Sequence, residues 1–593
     1  MLLLDTGAMS NRNIRSVLLK AAVIVLAGFW IYLPTLQGEW LWDDDVMLLA
    51  NPTVQSGSFA GLMKLWFNPE GIDYFPLTYS VLWLQWMLFG IDSTGYHVVN
   101  IFLHVMTGLL LWFLLEKMHV PGAYAAALVF TVHPVCVESV AWVAETKNTL
   151  STCLFLSSCI FWVEQDALET GPRRERLYLC SIVFYLFAMF AKTSMVAMPV
   201  LTLLYAWWKR GNIKTQDIIR AAPLFLISIV LGLITIQFQH SKAIGGEQLP
   251  IGGLASRIAV AGMAIFFYLR TLLWPINLLP IYPQWDVSPP QLWQFVPWLI
   301  IVGVLWWLWT KRTIPWACHT LFAFGFFFLM IAPVLGFINI SYMRISWVAD
   351  HFLYLPMIGP LVLVVATISK WLHTRKPKEQ LVLNCFAFVV ILFLAGNSFF
   401  YSTAWAKEEF LWDHTLLYNP DAWQAHNRLG VKKLSKNDLR GAEYHFRNAS
   451  RLRPDLGETK NNLGLTLART GRLDEAIEIY KSAVRASPKI LTIRKNLADA
   501  YMELGKYEEA SIAYQQILNQ NPDDAFILNL HAIALFKLGN IQTAIREFRR
   551  VLELEPNFDE ALESLKVASK KLEESQKKTP RVPDSSSEKS NTP

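Results

Sequence analysis

Twelve apolar runs of roughly bilayer-spanning length, about 20 residues each, fill the first 401 residues, and a chain built this way folds within a membrane. They lie near 15–36, 96–118, 121–137, 148–163, 177–191 and 193–208, then near 219–238, 256–276, 294–310, 315–335, 351–371 and 380–401. Only 17% of the 593 residues are charged while 53% are hydrophobic, which argues against a soluble enzyme of this size. The net charge of +6 is modest and points to no nucleic-acid partner. Six cysteines (Cys136, Cys153, Cys159, Cys180, Cys318 and Cys385) sit in or beside apolar runs without paired spacing, so neither a disulfide framework nor a zinc site is expected.

Basic residues orient the runs. Arg12 and Arg15, then 173–176, 209–214, 311–312 and 370–378, all suit a cytoplasmic side. Strict alternation through every run puts the last two clusters outside. One run within 219–276 that does not cross repairs the count, and "QHSKAIGGEQLPIGG" suits a re-entrant or interfacial turn. About eleven crossings follow, with the N terminus inside and the segment after Tyr401 outside. The first run reads as a retained anchor. The outward-facing segments are then 37–95, 133–147, the neighbourhood of Lys192, 277–293 and 336–351. The first loop, 37–95, contains "FAGLMKLWF" and "PLTYSVLWLQWMLFG", too short to span and rich in tryptophan, as interfacial helices are.

After Tyr401 the composition turns to mixed charge with alanine and leucine. Prolines recur at 420, 454, 488, 522 and 556, every 34 residues. Ala442, Ala476, Ala510 and Ala544 keep that period, as do Phe446, Tyr480, Tyr514 and Phe548. This is the tetratricopeptide pattern: four repeats over 423–556, with a capping helix over 557–573. Such stacks form a concave groove suited to a peptide or protein partner. The polar tail, 574–593, is expected to be disordered. The domains are therefore 1–405, 406–573 and the tail.

Four stretches could carry chemistry. In "EWLWDDDVMLL", Trp40 and Trp42 pin Asp43, Asp44 and Asp45 at headgroup level, where crowding and partial desolvation suit a carboxylate to take a proton. "HPVCVESVAWVAETKNTLS" sets His133 and Glu138 at a helix end, followed by Glu145 and Lys147. "FAKTSMVAMP" places Lys192 on the outer side, where an anionic partner such as a phosphate explains it. "SYMRISWVADHFLYLPMIGP" brings Arg344, Asp350 and His351 to a helix entrance, a ready phosphate site.

These stretches, with "WDDDVMLLANP", "FPLTYSVLWLQWMLFG" and the terminal repeats, resemble the bacterial relatives of the transmembrane and tetratricopeptide-repeat-containing O-mannosyltransferases, a GT-C-type glycosyltransferase family. The resemblance implies an all-α chain: a polytopic GT-C-like helical bundle followed by a tetratricopeptide solenoid. It implies an inverting transfer of a sugar from a polyprenyl-phosphate donor to an acceptor, here expected to be a protein hydroxyl held through the repeat groove. The setting is the outer face of a bacterial inner membrane, with the repeats periplasmic and membrane lipid around the bundle. Asp44 is then the base, with Asp43 and Asp45 beside it. Glu138 and His133 orient substrate, and Lys147, Lys192, Arg344 and His351 meet the donor phosphate. This chain departs from the family at Cys136 and at Phe75-Pro76, where histidines are usual, and at His351-Phe352, where Arg-Tyr is usual. No cofactor is required by this reading, and a divalent metal stays open. Transfer to a glycolipid or polysaccharide, and a silent membrane scaffold working through its repeats, are the competing readings.

Overall fold

The computed structural model describes residues 11–69, 71, 73–244 and 251–578, and helices make up nearly all of its regular structure, with no strand among those residues. It divides into two compact units, Met1–Ala422 and Trp423–Pro593. The division falls later than 405 because a helix at Glu408–Tyr418 packs within the first unit.

The first unit opens with α1 (Asn11–Ile31), followed by a long loop that carries α2 (Pro52–Gln55), α3 (Phe59–Phe67) and α4 (Pro76–Phe89). Next come α5 (Ser93–Lys117), α6 (Ala123–Val132), α7 (Cys136–Ala141), α8 (Thr146–Asp166), α9 (Pro172–Ala191), α10 (Met198–Arg210) and α11 (Thr215–Phe238). The unit closes with α12 (Leu254–Leu273), α13 (Val296–Thr310), α14 (Pro315–Ile331), α15 (Asp350–Leu353), α16 (Ile358–Leu372), α17 (Pro377–Ala404) and α18 (Glu408–Tyr418). Among the described residues, seven stretches are long and apolar enough to cross a membrane: 14–31, 93–117, 215–243, 254–273, 292–310, 315–334 and 377–404. Prolines open α9, α14 and α17, where a missing N–H costs the helix nothing.

Side-chain contacts sort the helix ends into two faces. At one, Lys209 and Arg210 pair with Asp166 at 2.7 and 3.3 Å, Trp207 stacks on Trp309, and the Cβ that Gly122 lacks would lie 2.1 Å from Ser369 Oγ. Gly122 also has φ +72, so both backbone and space demand glycine there. The basic segments 209–214, 311–312 and 370–378 thus belong to one face. The other face carries Asp44.

α12 satisfies the length and composition of a span, yet both its ends touch the Asp44 face. Near its start Arg257 donates to Gly336 O and Asn339 Oδ1, and Ile258 O accepts from Trp298 Nε1. Near its end Leu272 O accepts from His133 Nε2 at 3.0 Å, and Tyr268 Oη accepts from Ala349 N. A helix anchored in this way lies along the face. These contacts fit the expectation of one run within 219–276 that does not cross, although α12 is also one of the stretches long and apolar enough to do so. Of the turn before it, residues 245–250 lie outside the described residues.

α6 has only ten residues, about 15 Å of helix. His133-Pro134 ends it, and every residue from Thr131 to Thr146 is buried. Irregular backbone at membrane depth is tolerated where protein covers it, so 133–147 is largely an internal segment rather than an outer loop. Small and hydroxyl residues bring the helices together. A Cβ on Gly28 would meet Val105 at 2.5 Å, and one on Gly108 would meet Thr131 at 2.4 Å. Ser158 and Ser181 donate to each other's carbonyls at 2.7 and 2.9 Å, which locks α8 to α9.

The second unit pairs α19 (Trp423–Ser435) with α20 (Leu439–Leu452), α21 (Gly457–Arg469) with α22 (Leu473–Ala486), α23 (Leu491–Glu503) with α24 (Tyr507–Leu518) and α25 (Ala525–Leu538) with α26 (Ile541–Leu554). The last helix, α27 (Asp559–Lys578), covers the end of the stack, and residues 579–593 of the expected tail lie outside the described residues. All four periodic alanines are fully buried, with the four aromatics beside them. Side chains at Gly430 and Gly464 would strike the rings of Phe446 and Tyr480 at 2.6 and 2.7 Å, which explains the small residue two turns into the first helix of each of these repeats.

Candidate functional site

The loop after α1 is fastened to the buried segment after α7 by three contacts. Leu41 O accepts from Trp142 Nε1 at 3.2 Å, and the Trp42 ring stacks on Trp142 at 4.9 Å. Asp44 Oδ1 accepts from Ala144 N at 2.7 Å. Trp42 adopts φ +48, a strained conformation for a side-chain-bearing residue. Its ring packs on Trp142 and Trp412.

Asp44 is 1% exposed, and its second oxygen accepts from Leu41 N at 2.9 Å. Burial pushes its carboxyl up to about 8, opposed by the two backbone N–H groups and reinforced by the charges of Asp43 and Asp45. With both oxygens engaged by backbone, Asp44 acts as a clamp between two loops. Asp43 is half-buried and is an electrostatic neighbour of Lys147. Asp45 opens a π-helical turn, Asp45–Leu49.

Around Asp43 the chain gathers charges from distant segments. Glu145, 1% exposed, pairs with Lys147 Nζ at 3.1 Å and Lys192 Nζ at 3.3 Å. Lys192 also donates to Asn148 Oδ1 at 2.6 Å. Asn148 Nδ2 in turn donates to His351 O at 3.0 Å. Asp73 is another neighbour of both lysines, and burial raises its carboxyl above the ordinary range. Gln239 joins Asp73 to the far loop, donating to its carboxylate and accepting from Ser341 N at 3.1 Å.

Glu138 lies one step deeper. It accepts from His351 N at 2.8 Å and meets His351 Nδ1 at 2.9 Å, across 213 residues of sequence. This fixes the imidazole and turns Nε2 toward other groups. Asp350 accepts from Tyr282 Oη at 2.8 Å; its other oxygen is buried without a partner in the structure. Burial, and then the nearby Glu138, raise the Asp350 carboxyl.

Of the residues singled out in the sequence, Asp43, Lys147, Lys192, Glu138 and His351 are joined by this network. His133 is not: its Nε2 donates to Leu272 O, and its Nδ1 accepts from Val135 N at 3.3 Å, so both ring nitrogens serve the backbone. Arg344 ends the turn Ser341–Arg344, whose Tyr342 ring meets His351 at 5.1 Å, and its Nε donates to Ser341 O. Asp73, Asn148, Gln239 and Tyr342 escaped the sequence reading. Only Asn148 left a signal, as a polar residue beside Lys147 at the start of an apolar helix. Among the described residues, no group of three or more His, Cys, Asp and Glu side chains is arranged to hold a metal.

The arrangement offers a half-buried carboxylate, Asp43, near the Lys147 ammonium, which shares Glu145 with the Lys192 ammonium. An ammonium has three donors; Lys147 spends one on Glu145, and Lys192 spends two on Glu145 and Asn148. Each retains a donor for an incoming anion. Such a site can take a proton on one side while accepting negative charge on the other.

Comparisons agree with both halves of the chain. Tetratricopeptide repeat models match residues 433–489, 467–534 and 527–558. Over 475 residues the chain is 24% identical to "Protein O-mannosyl-transferase F38B6.6" of Caenorhabditis elegans, covering 74% of this chain and 63% of the relative. It is 24% identical to the human "Protein O-mannosyl-transferase TMTC1", over 73% of this chain and 55% of the relative. It is 23% identical to the mouse "Protein O-mannosyl-transferase TMTC4", over 69% of this chain and 63% of the relative. The chain thus spans under two thirds of the length of these relatives. Among solved structures, YrrB, described as a TPR protein with an unusual peptide-binding site, is 19% identical with a TM-score of 0.26, covering 27% of this chain and 82% of its own.

Proposed function

We propose that this chain, a relative of the transmembrane, tetratricopeptide-repeat protein O-mannosyl-transferases, moves a sugar from a polyprenyl-phosphate donor to a protein hydroxyl at the Asp44 face of the membrane. The observation that carries the proposal is the pairing of Lys147 and Lys192 with the single buried carboxylate of Glu145, beside Asp43. Asp43 takes the proton of the acceptor hydroxyl as its oxygen attacks the anomeric carbon. The bond from that carbon to the phosphate oxygen breaks, and the departing polyprenyl phosphate gives its new charge to Lys147 and Lys192, with His351 beside them. A single displacement inverts the anomeric centre. Glu138 is a positioning residue that holds the His351 ring, Asp44 and Asp45 shape the loop bearing the base, and Arg344 is assigned to the outer part of the phosphate site.

The names of the relatives make mannose the first sugar to test. The gathering of basic segments at the opposite face supports an outward-facing Asp44, periplasmic in a bacterial inner membrane. With no span between Ala404 and the repeats, these belong on the same side, where their groove recruits the acceptor. Full-length protein in vesicles, given polyprenyl-phosphate mannose and a serine- and threonine-bearing peptide, should release equal amounts of mannosyl peptide and free polyprenyl phosphate. Transfer only to lipid or polysaccharide acceptors would replace the protein hydroxyl, and no turnover of any such donor would leave the scaffold reading.

A further inference from the structure

A cavity of about 790 Å3 runs between α5, α8, α10, α14 and α16, and none of the charged residues of the site lines it. Its walls are apolar along α10 and α16, and its exposure is graded. Met198 and Ile358, at the ends nearest the Asp44 face, are 1% and 6% exposed; Trp316 and Trp371, at the basic face, are 47% and 44% exposed. The slot is therefore closed beneath the site and open at the other face.

Cations stand at that mouth. Lys370 and His319 line it, and the Arg375 guanidinium lies over the Trp371 ring at 4.4 Å. Lys209 and Arg210, on the same face, are neutralised by Asp166 and Asp217. Among the described residues no carboxylate pairs with Lys370 or Arg375. Tryptophans and unpaired cations at the mouth of an apolar slot are what a phospholipid of the adjoining leaflet meets: headgroup level outside, hydrocarbon within.

We infer that this slot binds an acyl chain of an anionic phospholipid from the leaflet opposite the Asp44 face, with the lipid phosphate at Lys370 and Arg375. The site is separate from donor binding, because a donor whose phosphate sits at Lys147 and Lys192 belongs to the other leaflet, and buried Met198 and Ile358 close the slot against its chain. The volume lies in the range of pockets that bury most of a small ligand.

The test uses full-length protein purified in mild detergent, with phosphatidylglycerol and phosphatidylcholine as probes. Extraction and mass spectrometry should find phosphatidylglycerol retained in preference to phosphatidylcholine, and phosphatidylglycerol should raise the melting temperature more. Lys370→Ala should weaken phosphatidylglycerol binding about fivefold, the contribution of one lysine at an anionic surface, and leave phosphatidylcholine unaffected. Ala366→Phe, which fills the slot, should abolish retention of both. If that variant does not fold, the Lys370→Ala comparison decides alone. Equal effects of the two lipids, or phosphatidylglycerol binding unchanged in Lys370→Ala, would overturn the inference. So would recovery of a polyprenyl phosphate as the molecule that Ala366→Phe displaces.

Discussion

Asp44 illustrates how a carboxylate that looks catalytic in sequence can have both of its oxygens held by backbone in three dimensions. Three consecutive aspartates offer no sequence criterion for choosing the middle one. The choice comes from Leu41 N and Ala144 N, which occupy both Asp44 oxygens, and the second donor is 100 residues away. Asn at this position can accept only one of those bonds and presents an N–H2 to the other. Asp44→Asn should therefore lose about 1–3 kcal/mol of stability, the cost of an unsatisfied buried donor. The loss should depend on pH. The folded carboxyl sits near 8 and the unfolded one near 3.8, so the folded state binds the extra proton between these values. Wild-type stability should fall as pH rises from about 4 to about 8 and then level, while the Asn variant has no such term. Thermal melts should show wild-type stability relative to the Asn variant falling steadily between pH 5 and pH 9. A gap constant with pH would contradict the assigned burial.

At the scale of elements, apolar runs and charged ends were legible, and the path of each run was not. The twelve runs reappear as helices in order, since about 20 apolar residues have few other ways to satisfy their backbone. α12 has the length and composition of a span, while Arg257, Leu272 and Tyr268 tie both its ends to segments far away in sequence. Single cysteines at Lys242 and Ile276, flanking α12, should therefore react with an impermeant maleimide from the same side of sealed vesicles. Labelling from opposite sides would make α12 a crossing helix. The buried stretch 133–147 stands out in sequence for its polar residues, but its burial depends on the elements that cover it, which no local pattern reports.

For the whole molecule, the repeats were the most legible part, because each 34-residue unit contacts only its neighbours and writes its packing into its own sequence. The polar network was the least legible: Glu138 meets His351 across 213 residues, and Asp73 is drawn in by Gln239 from the end of α11. The separation into two units predicts that residues 423–578 fold alone, giving a soluble helical fragment with a cooperative melt; an unfolded fragment would mean the repeats need the membrane unit. Deleting them should spare transfer to a short peptide and abolish transfer to the natural protein acceptor, as expected if the groove supplies affinity and the membrane unit makes the bond. The most direct test of the central claim is the rate at which full-length Asp43→Asn, in vesicles, transfers sugar from the polyprenyl-phosphate donor to a short peptide. With Asp43 as the base, a fall of about 10²–10⁴-fold is expected, the usual worth of a general base, with melting temperature unchanged. Turnover within about threefold of wild type, well short of that worth, would show that Asp43 is not the base and that the site has been wrongly assigned.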